Sequence, residues 1–202
     1  MDFRILGPLE VWDRGRPIEL PRRKQRALLA FLLLRAGEAA STDALIDALW
    51  GEEPPRTART SLQNSVAQLR RALGPGVVAS EAGGYRLEII LEQLDLGRFE
   101  RLTAEARSRS GGERAERFRE ALGLWRGPPL ADLIYEPFAT REVARLEELR
   151  TAANEDLIDA ELALGGGGEL VAELESLVAE YPFRERLRAQ LMLALYRAGR
   201  PG

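Results

Sequence analysis

Apolar side chains recur along this chain with two different periods, and the change from one to the other marks its organisation. The opening alternates in short runs, Phe3 and Ile5, Leu9 and Val11, Ile18 and Leu20, separated by Gly7-Pro8 and by residues 13–17. Alternation bounded by turn residues predicts three short antiparallel strands. From Pro21 the period becomes helical. Residues 22–36 spread Ala27, Leu28, Phe31, Leu32 and Leu34 over more than half of a helix circumference, which predicts the central core helix of a front domain, closed by Gly37. Ser41-Thr42-Asp43 caps a short helix over 44–49, with Thr42 and Asp43 read as caps and Trp50, at the end of an apolar run, read as core. Glu52-Glu53-Pro54-Pro55 then leads into a third helix over 56–73. Beyond the break at Gly74-Pro75-Gly76, residues 77–79 and 85–89 flank Gly83-Gly84 as a hairpin. Strands, three helices and a hairpin are the element order of a winged helix-turn-helix.

After about Leu94 strand signals vanish and helices follow one another, over 96–108, 113–125, 140–164, 170–180 and 184–198. The breakers are Gly111-Gly112, Gly127-Pro128-Pro129, Gly165 to Gly168 and Pro182. Short turns between such helices predict a helical-repeat module. The expected fold is therefore mainly α with a small α+β front domain, a winged helix-turn-helix over 1–92 and a helical domain over 93–202. In the second half Phe99, Phe118, Trp125, Tyr135, Phe138, Tyr181, Phe183 and Tyr196 stand at spacings expected of core packing, and residues 136–138 are read as a loop.

The third predicted helix carries the chemistry. Ala58, Leu62, Val66, Leu69 and Leu73 fall on one narrow face at 100° per residue. Arg56, Thr60, Gln63, Asn64, Gln68 and Arg71 fall on the other, with small Ala67 among them. A solvated face in a chain this charged would mix in Glu and Lys, yet residues 56–73 contain no Asp, Glu or Lys. Gln and Asn side chains can donate and accept toward adenine edges, and Arg can hold guanine or phosphate. Arg56 and Thr57 stand at the helix N-terminus, where free N–H groups and the helix dipole favour an anion. The basic cluster Arg22-Arg23-Lys24, with Arg26 beyond it, opposes the dipole of the first helix; phosphate contact and plain solvation are both readings of it.

Composition narrows the alternatives. A formal charge of -3 hides an asymmetry, since residues 1–90 hold 13 basic against 11 acidic side chains and residues 91–202 hold 16 against 21. That sign fits a DNA-binding front half and an acidic, protein-binding rear. The single Lys, Lys24, accompanies 28 Arg. There is no Cys and no His, and neither a phosphate loop nor a paired-carboxylate motif. Hence no catalytic residue, cofactor or metal is implied. No apolar stretch is long enough to span a bilayer and the N-terminus lacks a secretory pattern, so a cytoplasmic, nucleoid-associated location is expected, with no membrane partner.

At several points the chain resembles the antibiotic-regulatory family of bacterial transcriptional activators. In the first half the resemblance rests on Leu6-Gly7-Pro8-Leu9-Glu10-Val11, Lys24-Gln25-Arg26-Ala27-Leu28, Leu45-Ile46-Asp47-Ala48-Leu49-Trp50, Leu69-Arg70-Arg71-Ala72-Leu73 and Gly84-Tyr85-Arg86-Leu87. In the second it rests on Asp95-Leu96 with Arg98-Phe99, Leu124-Trp125-Arg126-Gly127-Pro128-Pro129-Leu130, Tyr181-Pro182-Phe183-Arg184-Glu185 and residues 191–200. The resemblance implies a response-regulator-type winged helix joined to a tetratricopeptide-like activation domain. It also implies an activator that binds double-stranded promoter DNA at short direct repeats, recruits RNA polymerase through contacts that involve its sigma subunit, and drives secondary-metabolite gene clusters. Members of the family often carry a basic residue near the wing tip. Here Ser80-Glu81-Ala82 stands there, and Glu81 repels phosphate, which leaves Arg86 as the expected wing contact.

Another reading is a protein-interaction scaffold whose winged helix no longer binds DNA specifically, supported by Glu81 and by the slight positive charge of the front half. The chain stops at Gly199-Arg200-Pro201-Gly202, just after an apolar helix with Leu187, Leu191, Met192 and Leu195. A helical repeat needs a following helix over that face, so a longer native protein, or cover by association as a homodimer, is expected.

Overall fold

The computed structural model describes residues 1–199, which fall into two compact units. Met1–Arg98 and Leu124–Glu147 make the first; Phe99–Gly123 and the chain from Glu148 onward make the second. The compact units thus cross the expected boundary at residue 92, because residues 124–147 pack with the front of the chain. Residues 200–202, on which part of the expectation about the C-terminus rests, lie outside the described residues.

The first unit opens with β1 (Asp2–Arg4), β2 (Glu10–Asp13) and β3 (Arg16–Pro17), an antiparallel sheet in that order with Phe3 opposite Val11. The alternation of Phe3, Leu9 and Val11 places these side chains in the core. Helix α1 (Arg23–Leu33) buries the run from Ala27 to Leu33, which makes it the hub of the unit. Around it pack α2 (Thr42–Trp50) and α3 (Ala58–Leu73), the latter through Ala58, Leu62, Val66, Leu69 and Leu73, the face expected from its periodicity. The hairpin β5 (Val78–Glu81) and β6 (Gly84–Leu87) follows.

A strand absent from the sequence expectation, β4 (Ala39–Ser41), precedes α2 and pairs with β6, so that the second sheet runs β4-β6-β5. Only Ala40 of its three residues is buried, too little for a period to show. Gly84 makes this pairing feasible, since a Cβ there would lie 2.0 Å from the Ala40 carbonyl oxygen. Gly84→Ala is expected to destabilise the hairpin by about 1–3 kcal/mol through that overlap, read as a lower urea midpoint and as loss of amide protection along β4 and β6.

The start of α2 differs from expectation. Ser41 alone is the N-cap, its hydroxyl accepting from the Ala44 N–H at 3.1 Å. Thr42 Oγ1 instead donates to the Gly83 carbonyl at 3.0 Å, and Asp43 pairs with Arg59. Trp50 is half-buried rather than core, with the Lys24 ammonium 5.5 Å from its ring centroid.

Residues 95 and 124–147 tie into the front of this unit through buried polar groups. The Asp95 carboxylate, almost wholly buried, accepts from the Ile5 and Leu6 N–H groups at 2.9 Å. Burial pushes its carboxyl up, against the lowering effect of those donors and of Arg126 at 3.7 Å. Arg126 also reaches Glu10 at 2.7 Å and the Pro8 carbonyl at 3.0 Å, and the Leu130 N–H donates to the Gly7 carbonyl at 2.7 Å. Asp132 accepts from the Leu9 N–H at 2.7 Å and from Arg26. Glu136, placed in a loop by the sequence and now buried, accepts from Arg23 at 2.5 Å and Lys24 at 2.9 Å. Phe138 meets Phe31 edge-on, with centroids 5.5 Å apart.

The second unit is helical: most of α4 (Asp95–Arg107), α5 (Gly111–Leu122), the C-terminal part of α6 (Ala139–Ala163), α7 (Val171–Glu180) and α8 (Glu185–Arg197). Ile158, Leu162, Leu170, Val171, Leu174, Leu187 and Ala194 form one core, with Leu191 and Leu195 packed against it. Of the face expected to lie open, Leu187 is buried and Leu191 and Leu195 pack against this core, while Met192 is exposed, as are its neighbours Leu193 and Tyr196. Phe99, Phe118 and Trp125 are core as expected, and Phe138 and Tyr181 are half-buried. Tyr135, Phe183 and Tyr196 are not core as expected: they are 82%, 92% and 75% exposed, because each stands in a turn or on the outer face of its helix. The Tyr181-Pro182-Phe183-Arg184-Glu185 turn owes its place to Arg184, which pairs with Glu148 at 2.5 Å and Glu155 at 3.2 Å. Among the described residues no helix is long and apolar enough to cross a membrane.

Candidate nucleic-acid interface

Helix α3 is fixed by its apolar face, and its opposite face is thereby turned to solvent. Arg56, Thr57, Thr60, Gln63, Asn64 and Arg71 are exposed and Gln68 is half-buried. No hydrogen bond or ion pair among the described residues engages the side chains of Arg56, Thr60, Gln63, Asn64, Gln68 or Arg71. The stripe predicted from sequence thus stands as one continuous surface of unpaired donors and acceptors. No acidic residue lies in the first turn, and Arg70 and Arg71 lie in the last, where cations favour the helix dipole. Thr57 is the N-cap but makes no side-chain capping bond, so the hydroxyl remains available at the helix start.

The flank of α3 is differently arranged. Arg70 donates from Nε to the Val78 carbonyl at 2.9 Å and from Nη2 to Ser80 Oγ at 2.8 Å, and its guanidinium lies 5.9 Å from the Tyr85 ring centroid. It fastens the hairpin to the helix rather than facing outward. Arg59, one turn before Gln63, pairs with Asp43 on the first turn of α2 at 2.7 Å. The Thr42 N–H donates to the Gly83 carbonyl at 2.8 Å, which draws the start of α2 against the turn of the hairpin. Asp43 accordingly sits between the N-terminal half of α3 and the wing.

Three residues expected at the interface are engaged elsewhere. Arg86, the expected wing contact, has Nη2 3.0 Å from Glu81 and 2.6 Å from Glu88. The cross-strand register brings this about, since β5 and β6 pair antiparallel with Glu81 opposite Gly84. Arg23 and Lys24 neutralise the buried Glu136 while their own side chains stay partly exposed; removing two cations from that carboxylate would leave a buried charge uncompensated. Arg22 alone of that cluster is exposed with no side-chain partner among the described residues. Arg59 and Arg70 were not singled out by the sequence. Their presence in the acid-free segment marks them as relevant, but their partners lie on other elements.

Residues 15–87 match the family "Transcriptional regulatory protein, C terminal", and residues 94–202 match the "Bacterial transcriptional activator domain". The regulatory protein AfsR of Streptomyces coelicolor is 44% identical over 98% of this chain, which spans only 20% of that relative. The regulatory protein DnrI of Streptomyces peucetius is 39% identical over 99% of this chain and 79% of its own length. In three dimensions the chain is similar to Mycobacterium tuberculosis EmbR, solved in complex with a low-affinity phosphopeptide, with a TM-score of 0.93 and 37% identity over 98% of this chain and 55% of the other. These matches are to transcriptional regulators and not to enzymes.

Proposed function

This chain belongs to the antibiotic-regulatory family of bacterial transcriptional activators, a winged helix followed by a helical activation domain, and we propose that it binds promoter DNA through α3 and recruits RNA polymerase, including its sigma subunit. The observation that carries the DNA reading is the outer stripe of α3. Among the described residues, six polar side chains without an intramolecular partner line one face, and no carboxylate stands among them. In the major groove Gln63, Asn64 and Gln68 read base edges, while Arg56, Thr57 and Arg71 hold phosphates or guanine. Thr60 lies between the two groups on the same face. Arg22, free at the start of α1, is a further phosphate contact.

The wing contributes little through Arg86 while Glu81 and Glu88 hold it, so the helix carries most of the affinity. That same pairing is the observation in favour of a scaffold that no longer reads DNA. Genome-wide footprinting of the native full-length protein separates the two. An activator gives a discrete set of promoter sites built of short repeats, and its binding to such a site falls steeply with salt. Weak, equal binding to all sequences contradicts it.

A further inference from the structure

The interface holds two kinds of arginine. Arg56 and Arg71 on the stripe are unpaired, whereas Arg59 at its edge and Arg86 on the wing are each held by carboxylates from this chain. Both sets of pairs are open to water: Arg59 and Asp43 are 68% and 82% exposed, and the wing pairs are about two-fifths exposed. Exposed pairs of this kind are worth ~0–1 kcal/mol, so they add little to the fold. They are also easily exchanged.

We propose that Asp43, with Glu81 and Glu88, acts as an internal phosphate substitute that suppresses sequence-independent binding to DNA. This rests on the DNA-binding reading above. When Arg59 moves from Asp43 to a phosphate, one exposed ion pair is exchanged for another and Asp43 is left bare beside the DNA, where it repels phosphate. The exchange gains little, and while Arg59 stays on Asp43 the counterion release of that phosphate contact, the main source of non-specific affinity, is forgone. Arg86 behaves the same way toward Glu81 and Glu88. With these cations masked, the protein is left to discriminate through the uncharged side chains of the stripe and the few unpaired arginines. Asp43 and the two glutamates are positioning residues for specificity, since they set which cations meet DNA without touching a base.

The test is binding of the full chain to a random duplex across a salt series. Asp43→Asn is expected to raise affinity about fivefold to tenfold near 0.1 M salt and to steepen the slope of log affinity on log salt by about 1, the contribution of one phosphate contact. Glu81→Gln combined with Glu88→Gln is expected to do the same through Arg86. Glu52→Gln removes the same charge from an exposed position with no partner and measures the long-range effect alone, expected to be smaller. Adding Arg59→Ala to Asp43→Asn should abolish the gain, whereas Arg59→Ala alone should change little. A gain from Asp43→Asn no larger than that from Glu52→Gln, or one that survives Arg59→Ala, overturns the proposal. Failure of the unsubstituted protein to bind any duplex at low salt overturns the DNA-binding reading and this inference with it, whereas binding that ignores these substitutions overturns the inference alone.

Discussion

Asp95→Ala is expected to unfold the winged unit far more readily than any surface change, at a cost of about 3–5 kcal/mol. The carboxylate is buried and receives the N–H groups of Ile5 and Leu6, which lie just beyond β1 and have no other place to donate. Each buried donor left without an acceptor costs roughly 1–3 kcal/mol, and Arg126 loses one of its two carboxylate partners as well. Burial holds the Asp95 carboxyl above the usual carboxylate range, and the loss is expected all the same, because the carboxyl offers an acceptor oxygen in either form whereas alanine has none. Urea denaturation followed by tryptophan fluorescence reads the loss, since Trp12, Trp50 and Trp125 all belong to this unit. An Asp95→Ala protein within 1 kcal/mol of the original, on the scale of ordinary surface changes, would show that these donors find water or another acceptor.

The second large effect is on DNA. Replacing Gln63, Asn64 and Gln68 together by alanine is expected to reduce specific binding by roughly 30-fold to 20,000-fold, taking two of the three as base contacts at about 1–3 kcal/mol each. The same protein should melt within about 0.5 kcal/mol of the original, because none of these side chains is buried or hydrogen-bonded within the chain. Binding to random duplex should persist, since phosphate contact through Arg56 and Arg71 is untouched. Electrophoretic mobility shifts on a footprinted site and on a scrambled one, in the same salt, distinguish lost specificity from lost folding.

The local layers of this molecule were legible in the sequence because they depend on near neighbours. Periodicity placed α3 to within two residues and assigned both of its faces, since burying Leu62, Val66 and Leu69 leaves Asn64 and Arg71 no other direction. The first two strands and the hairpin followed from alternation and glycines, whereas β3 falls at Arg16–Pro17, inside the stretch read as a turn before Ile18 and Leu20. What failed was set by distant partners. Glu136 could not be recognised as the anchor of Arg23 and Lys24, more than a hundred residues earlier, nor Asp132 as that of Leu9. For the same reason the packing of residues 124–147 with the front of the chain could not be read from the sequence.

Strand β4 was hidden by its shortness and its alanines, and Tyr135, Phe183 and Tyr196 were assigned to the core on spacing that does not separate a buried aromatic from an exposed one. At the interface the stripe was visible, but the pairing state of its arginines was not. Whether Arg59 or Arg86 is free depends on carboxylates that only the fold brings near.

The claim on which the account turns is that the uncharged side chains of α3 read bases. It is tested most directly by measuring the affinity of the full-length protein and of its Asn64→Ala variant for every single-base change of a footprinted site. The account predicts that the original protein loses about 1–3 kcal/mol at each contacted base pair and that Asn64→Ala becomes indifferent to one of those positions while keeping its preferences elsewhere. A variant whose preferences match the original at every position would contradict it.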